Sequence, residues 1–178
     1  MKKLIVSSLI VFATAASAAN FATVDYDTVT DRSGGEGSKA TSLRVGKELG
    51  GMQLGLQARA AKGNTTNNLS SSIEGTVGKN IGGFTPFVGV GHDYGINTAK
   101  SQNYGLVGAQ YGTKFGPGYA LAGVKTRVRT NDTDTKQTVA YGVYSVPVAK
   151  NVAVNLNVSR SSQDIKEKAV GVGLTFAF

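Results

Sequence analysis

The chain of 178 residues contains no cysteine, so neither a disulfide framework nor thiol chemistry is available to it, and its one histidine leaves no zinc-type ligand set. No cofactor and no metal site is expected. Proline is also scarce: three prolines accompany 24 glycines, against a usual glycine share of about 7%, which separates the sequence from a disordered Pro/Gly linker. Beyond residue 18 no segment offers the roughly 20 consecutive apolar residues that a membrane helix requires, and the mean hydropathy is near neutral at -0.08. If this chain crosses a membrane, it does so with strands. The fold then rests on backbone hydrogen bonds and packing, with glycine marking bends and close backbone approaches.

What is present begins with the first 18 residues. Lys2 and Lys3 precede an apolar stretch from Leu4 to Ala16, and Ala16-Ser17-Ala18 fits a small-x-small cleavage rule, so residues 1–18 read as a signal peptide and residues 19–178 as one domain. The apolar run is too short to cross about 30 Å of hydrocarbon as an anchor helix. Loss of Lys2 and Lys3 removes two of the 19 basic residues, so the formal charge of +8 becomes +6. The remaining cations are spread singly through alternating segments, a pattern unlike a nucleic-acid-binding run, so no nucleic-acid partner is expected.

About ten segments alternate apolar with small or polar residues, the period of a strand with two unlike faces. Met52, Leu54, Leu56, Ala58 and Ala60 alternate with Gln53, Gly55, Gln57 and Arg59. Val152, Val154, Leu156 and Val158 alternate with Asn155, Asn157 and Ser159. Clear patterns also cover 43–49, 120–129 and 167–178, while 20–31, 69–80, 84–94, 103–113 and 137–148 are weaker. Each is about 10 to 12 residues, the length of a tilted membrane strand. Tight turns at Gly50-Gly51, Gly82-Gly83, Gly116-Pro117-Gly118 and Ala149-Lys150-Asn151 alternate with longer polar connections at 32–39, 63–68, 95–102, 131–136 and 161–166. The expected fold is all-β, an antiparallel up-and-down transmembrane β-barrel. Ten strands are expected, or eight if two weak segments are not strands, with both termini on the short-turn side.

A soluble barrel would bury its apolar face around a ligand. Here the polar set is rich in glycine and alanine, a poor water-facing surface but a sensible narrow lumen. Lys47, Lys62 and Lys79 interrupt the apolar set only at strand ends. A Lys or Arg facing lipid costs about 2–4 kcal/mol at the bilayer middle and almost nothing at the interface. Tyr26, Phe84, Tyr94, Phe115, Tyr119 and Phe178 are placed near strand ends as an aromatic girdle, whereas Tyr141 and Tyr144 fall nearer mid-strand.

The alternation over 19–178 and the ending Gly173-Leu174-Thr175-Phe176-Ala177-Phe178 resemble the small porin-like outer-membrane β-barrels of Gram-negative bacteria, the opacity- and OmpA-like class. The resemblance implies the cell outer membrane, with its lipid and lipopolysaccharide, as the location. It also implies that periplasmic chaperones and the barrel assembly machinery act as partners, with Gly173, Phe176 and Phe178 in the C-terminal assembly signal. Gly171 departs from the pattern, which usually has a polar residue there.

Taken literally, alternation points Arg44, Arg59, Lys125, Arg127 and Arg129 inward with Asp25, Asp27, Glu48, Glu74 and Glu167. Five charges of each sign could pair into a polar plug that leaves at most a thin water path. They could instead separate, with Lys125, Arg127 and Arg129 on one wall opposite the first strand's acids, in which case a transverse field would favour small charged solutes. A porin-like barrel with a narrow or plugged lumen is the expected function. Surface recognition by the longer loops, or a purely structural barrel, is the alternative. No catalytic residue is expected: His92 and Asp93 are adjacent on a strand and point to opposite faces.

Overall fold

A computed structural model of the protein describes residues 20–31, 36–65, 69–95, 101–130, 136–163 and 166–178. The expected signal peptide, residues 1–18, and the central parts of the longer connections lie outside the described residues. The chain forms ten strands: β1 (Phe21–Asp31), β2 (Ser38–Leu49), β3 (Met52–Gly63), β4 (Leu69–Lys79), β5 (Phe84–Gly95), β6 (Gln102–Phe115), β7 (Gly118–Arg129), β8 (Lys136–Ala149), β9 (Val152–Gln163) and β10 (Glu167–Ala177). All five weakly alternating segments are strands, so the count is ten and not eight. Each strand pairs antiparallel with its neighbours in sequence, and β1 closes on β10, leaving no free edge.

The tight turns have a local cause. Gly50 and Gly51 have φ of 57° and 80°, and Gly82 and Gly83 have 62° and 90°. Two successive positive φ angles give a hairpin turn whose twist matches that of its strands, and only glycine adopts them without a Cβ penalty. The Asn80 side chain accepts a hydrogen bond from the Gly83 amide at 3.0 Å and holds the second of these turns.

The register sets the barrel's width. Phe21 pairs with Gly46, Gly46 with Gly55, Gly55 with Thr76, and the ladder followed in this way returns to β1 displaced. The displacement after the full circuit is about 12 residues, which for ten strands gives a tilt of about 40° and a backbone cylinder of roughly 10 Å radius. At that radius inward side chains nearly fill the bore.

The two faces are unlike. Outward positions carry Leu43, Val45, Leu54, Leu56, Val88, Val90, Val107, Val124, Leu156, Val158, Val170, Val172 and Leu174, all exposed. Inward positions hold buried Thr23, Asp25, Asp27, Ser42, Arg44, Gln57, Glu74, Lys125, Asn155 and Asn157. A contiguous apolar exterior round a polar interior is the inverse of a water-soluble barrel and suits a lipid-facing one.

Three aromatic placements, those of Tyr119, Tyr26 and Tyr144, differ from the sequence expectation. Tyr119 is turned inward, packed against the cluster of Phe21, Leu121 and Tyr141, and takes no part in a girdle. Tyr26 is outward but at mid-strand. The girdle on the turn side consists instead of outward Phe84, Tyr111, Phe115, Phe176 and Phe178, together with Tyr144, whose hydroxyl donates to the Phe115 carbonyl at 3.1 Å. Inward rings lie over cross-strand glycines: Phe21 over Gly46, Tyr104 over Gly91, and Tyr141 over Gly123. In each case a Cβ would collide with the ring, so the missing side chain is what lets an aromatic lie flat inside a narrow barrel.

Candidate functional site

Every strand-borne acid among the described residues points inward, and charges from non-neighbouring strands meet at mid-barrel. Glu74 of β4, 2% exposed, is the centre of the larger cluster. Its carboxylate accepts from Lys125 Nζ at 2.7 Å, from Arg127 Nη2 at 2.6 Å and Nε at 3.1 Å, and from the Tyr104 hydroxyl at 3.3 Å. Arg127 also donates to Gln137 Oε1 at 3.3 Å and lies over the Tyr104 ring at 5.1 Å. β4 and β7 stand three places apart in the strand order, so this ion pair crosses the bore.

The second cluster lies on the β1 wall. Arg44 Nη2 donates to Asp25 Oδ2 at 3.0 Å, and Asn157 Nδ2 donates to Asp25 Oδ1 at 2.9 Å. Below it, Asn155 donates to Thr175 Oγ1 at 2.8 Å and accepts from the Ser145 hydroxyl at 2.7 Å, while Thr23 and Thr175 hydroxyls meet at 2.9 Å. These bonds satisfy buried polar groups that would otherwise carry a full desolvation penalty.

The carboxylates of β1 explain the glycine that departs from the usual C-terminal pattern. Asp27 is in register with Gly171, and Asp25 with Gly173. A Cβ at Gly171 would meet Asp27 Oδ1, and one at Gly173 would meet Asp25 Oδ1. Each acidic side chain folds flat over its glycine partner, which a residue with a side chain would forbid.

Of the ten candidate lumen charges, Asp25, Arg44, Glu74, Lys125 and Arg127 are thus joined by ion pairs. Lys125 and Arg127 clasp Glu74 and do not face the acids of β1 across an open field. Asp27, Arg59 and Glu167 border a cavity of about 50 Å³ between these clusters, together with Gln57, Ser159 and Ser161. That volume holds about one or two waters. Both carboxylate oxygens of Asp27 are buried there without a protein hydrogen-bond donor. Glu48 lies at the turn-side end of β2, and Arg129 at the loop-side end of β7. His92 and Asp93 face opposite sides of β5; His92 Nδ1 is 2.6 Å from Asn103 Oδ1, and its ring packs edge-on to Tyr94.

Alternation does not reveal the aromatic part of the interior. Tyr104, Tyr141 and Phe87 fill the bore beside the charges, and the Tyr141 hydroxyl donates to Gln110 Oε1 at 2.9 Å. Their sequence signal is the paired glycine on the next strand, readable only once the register is known.

The fold is found in solved structures. The translocator domain of the autotransporter NalP from Neisseria meningitidis superposes with a TM-score of 0.55 at 12% identity, over 93% of this chain and 90% of that one. KdgM porin gives 0.47 at 12% identity over 88% of this chain and 99% of that one, and Neisserial surface protein A gives 0.43 at 11% over 90% and 96%. No protein-family model and no curated protein sequence matches the chain.

Proposed function

With the fold of the outer-membrane β-barrels as premise, we propose that this protein is an integral outer-membrane barrel of porin-like type whose narrow lumen passes water and single small ions and excludes larger solutes. The observation that carries the reading is the Glu74 clasp: one buried carboxylate of β4 gripped by Lys125 and Arg127 of β7, with Tyr104 and Gln137 closing round it. A wide diffusion pore keeps its bore free of such crossings. The location is supported by the apolar exterior, the end-placed lysines and the expected signal peptide.

The test is electrical. The chain refolded into a planar lipid bilayer is expected to give at most small conductance steps. The triple variant Glu74→Ala, Lys125→Ala, Arg127→Ala is expected to give larger, reproducible ones. Large steps from the unaltered barrel, or a folded triple variant no more conductive than its parent, would overturn the reading.

A further inference from the structure

The sign of charge is segregated across the barrel wall. Among the described residues no acidic side chain lies on the outward face of a strand, whereas Lys39, Lys47, Lys62, Lys79, Lys136, Arg160 and Lys168 all do, and all are exposed. Lys47 and Lys79 sit at the turn-side rim. The other five occupy the loop-side rim and are confined to six adjacent strands, running from β8 through β9, β10, β1 and β2 to β3. On the remaining four strands the same level carries Ser71, His92, Tyr94, Asn103 and Val128 on the outward face, with no charge.

The arrangement within this arc conflicts with the barrel's own stability. Arg160 is directly opposite Lys168, and Lys39 directly opposite Lys62. Directly opposed side chains on one face have Cβ atoms about 5 Å apart, and like charges so placed repel. The turn-side lysines avoid this, since Lys47 faces Leu54 and Lys79 faces Met52. Between the two like-charge pairs, β1 presents the exposed hydroxyls of Thr28 and Thr30, in register with Lys39 and Lys168. Beneath Arg160 and Lys168 the outer wall is hollowed by a groove of about 450 Å³, floored by Ala140, Gly142 and Val158.

We propose that this arc is a binding site for a phosphorylated glycolipid of the outer leaflet. Its phosphates are held between Arg160 and Lys168 and between Lys39 and Lys62, and an acyl chain lies in the groove over Gly142. A phosphate accepts charge-assisted hydrogen bonds from both members of a pair and converts their repulsion into a shared attraction. The groove's small apolar floor suits a hydrocarbon chain, and its position on the lipid-facing wall leaves a lipid as the occupant of matching chemistry. The site depends on the barrel spanning an outer membrane and not on whether its lumen conducts.

The test uses the folded full chain in a neutral detergent, probed with diphosphoryl lipid A and read by native mass spectrometry. Retention of diphosphoryl lipid A is expected to fall at least about tenfold in Lys39→Gln/Lys62→Gln/Arg160→Gln/Lys168→Gln and to stay unchanged in Lys47→Gln/Lys79→Gln. Gly142→Leu keeps every charge and fills the groove, and it is expected to lose retention as well; it serves alone if the quadruple variant does not fold. Fully dephosphorylated lipid A is expected not to be retained, and 10 mM inorganic phosphate is expected not to displace the lipid. Equal loss in the turn-side variant, full retention in the loop-side variants, retention of the dephosphorylated lipid, or displacement by free phosphate would each overturn the proposal.

Discussion

Replacing Glu74 with glutamine strikes the point on which the interior is organised. The amide keeps the shape of the side chain but removes the charge that Lys125 Nζ approaches to 2.7 Å and Arg127 Nη2 to 2.6 Å. Leaving a buried ion without its partner costs about 3–5 kcal/mol. Both side chains border the cavity, but that of Lys125 is 5% exposed and recovers little solvation there, whereas that of Arg127, 17% exposed, recovers more. These opposing features put the expected loss near the lower end of that range, about 3 kcal/mol. The assay is reversible urea unfolding in lipid vesicles, followed by β-sheet circular dichroism and by the gel-mobility difference between heated and unheated samples. A matched variant, Glu74→Gln/Lys125→Met/Arg127→Met, removes cations and anion together and is expected to return to within about 1 kcal/mol of the parent or above it, since apolar replacement of a buried ion pair is commonly neutral or stabilising. A loss under about 1 kcal/mol for Glu74→Gln alone would show that solvent already screens the cluster, and the cross-bore clasp would be refuted.

Three further outcomes follow from particular contacts. Gly173→Ala pushes a Cβ into the Asp25 carboxylate, which Arg44 and Asn157 hold in place, so it is expected to cost about 1–3 kcal/mol in the same unfolding assay, whereas Gly75→Ala, with nothing within 4 Å, is expected to cost nothing. Val172→Arg puts a cation on the outward face opposite Tyr26 and Leu156 and is expected to destabilise the barrel in lipid by about 2–4 kcal/mol, while Lys79→Arg at the rim leaves it unchanged. Tyr141→Phe removes the donor to Gln110 Oε1 in a buried site and is expected to cost about 1–2 kcal/mol without changing conductance, because the ring that fills the bore stays.

The alternation of Leu54, Gly55, Leu56 and Gln57 was enough to read β3, its two faces and its length, because a strand's side-chain period is a property of the local backbone and needs no partner. The turns at Gly50-Gly51 and Gly82-Gly83 were legible for the same reason, since positive φ is a demand on single residues. So was the inward direction of Asp25, Arg44, Glu74, Lys125 and Arg127. Which of those charges meet was beyond the sequence. Whether Arg127 faces Asp25 or clasps Glu74 depends on the stagger accumulated round ten strands and on the bore that this stagger leaves, and no local pattern carries either quantity. Tyr119 belongs with the legible part: its nearness to a strand end suggested a girdle, but it shares the parity of Lys125 and Arg127, which turns it inward, where its ring lies beside Gly112 and Leu121. Local chemistry determined the strands, the turns and the two-faced wall. Only closure of the barrel decided which side chains cross the lumen, because ion pairs between β4 and β7 exist only once the sheet has curled round to bring them together.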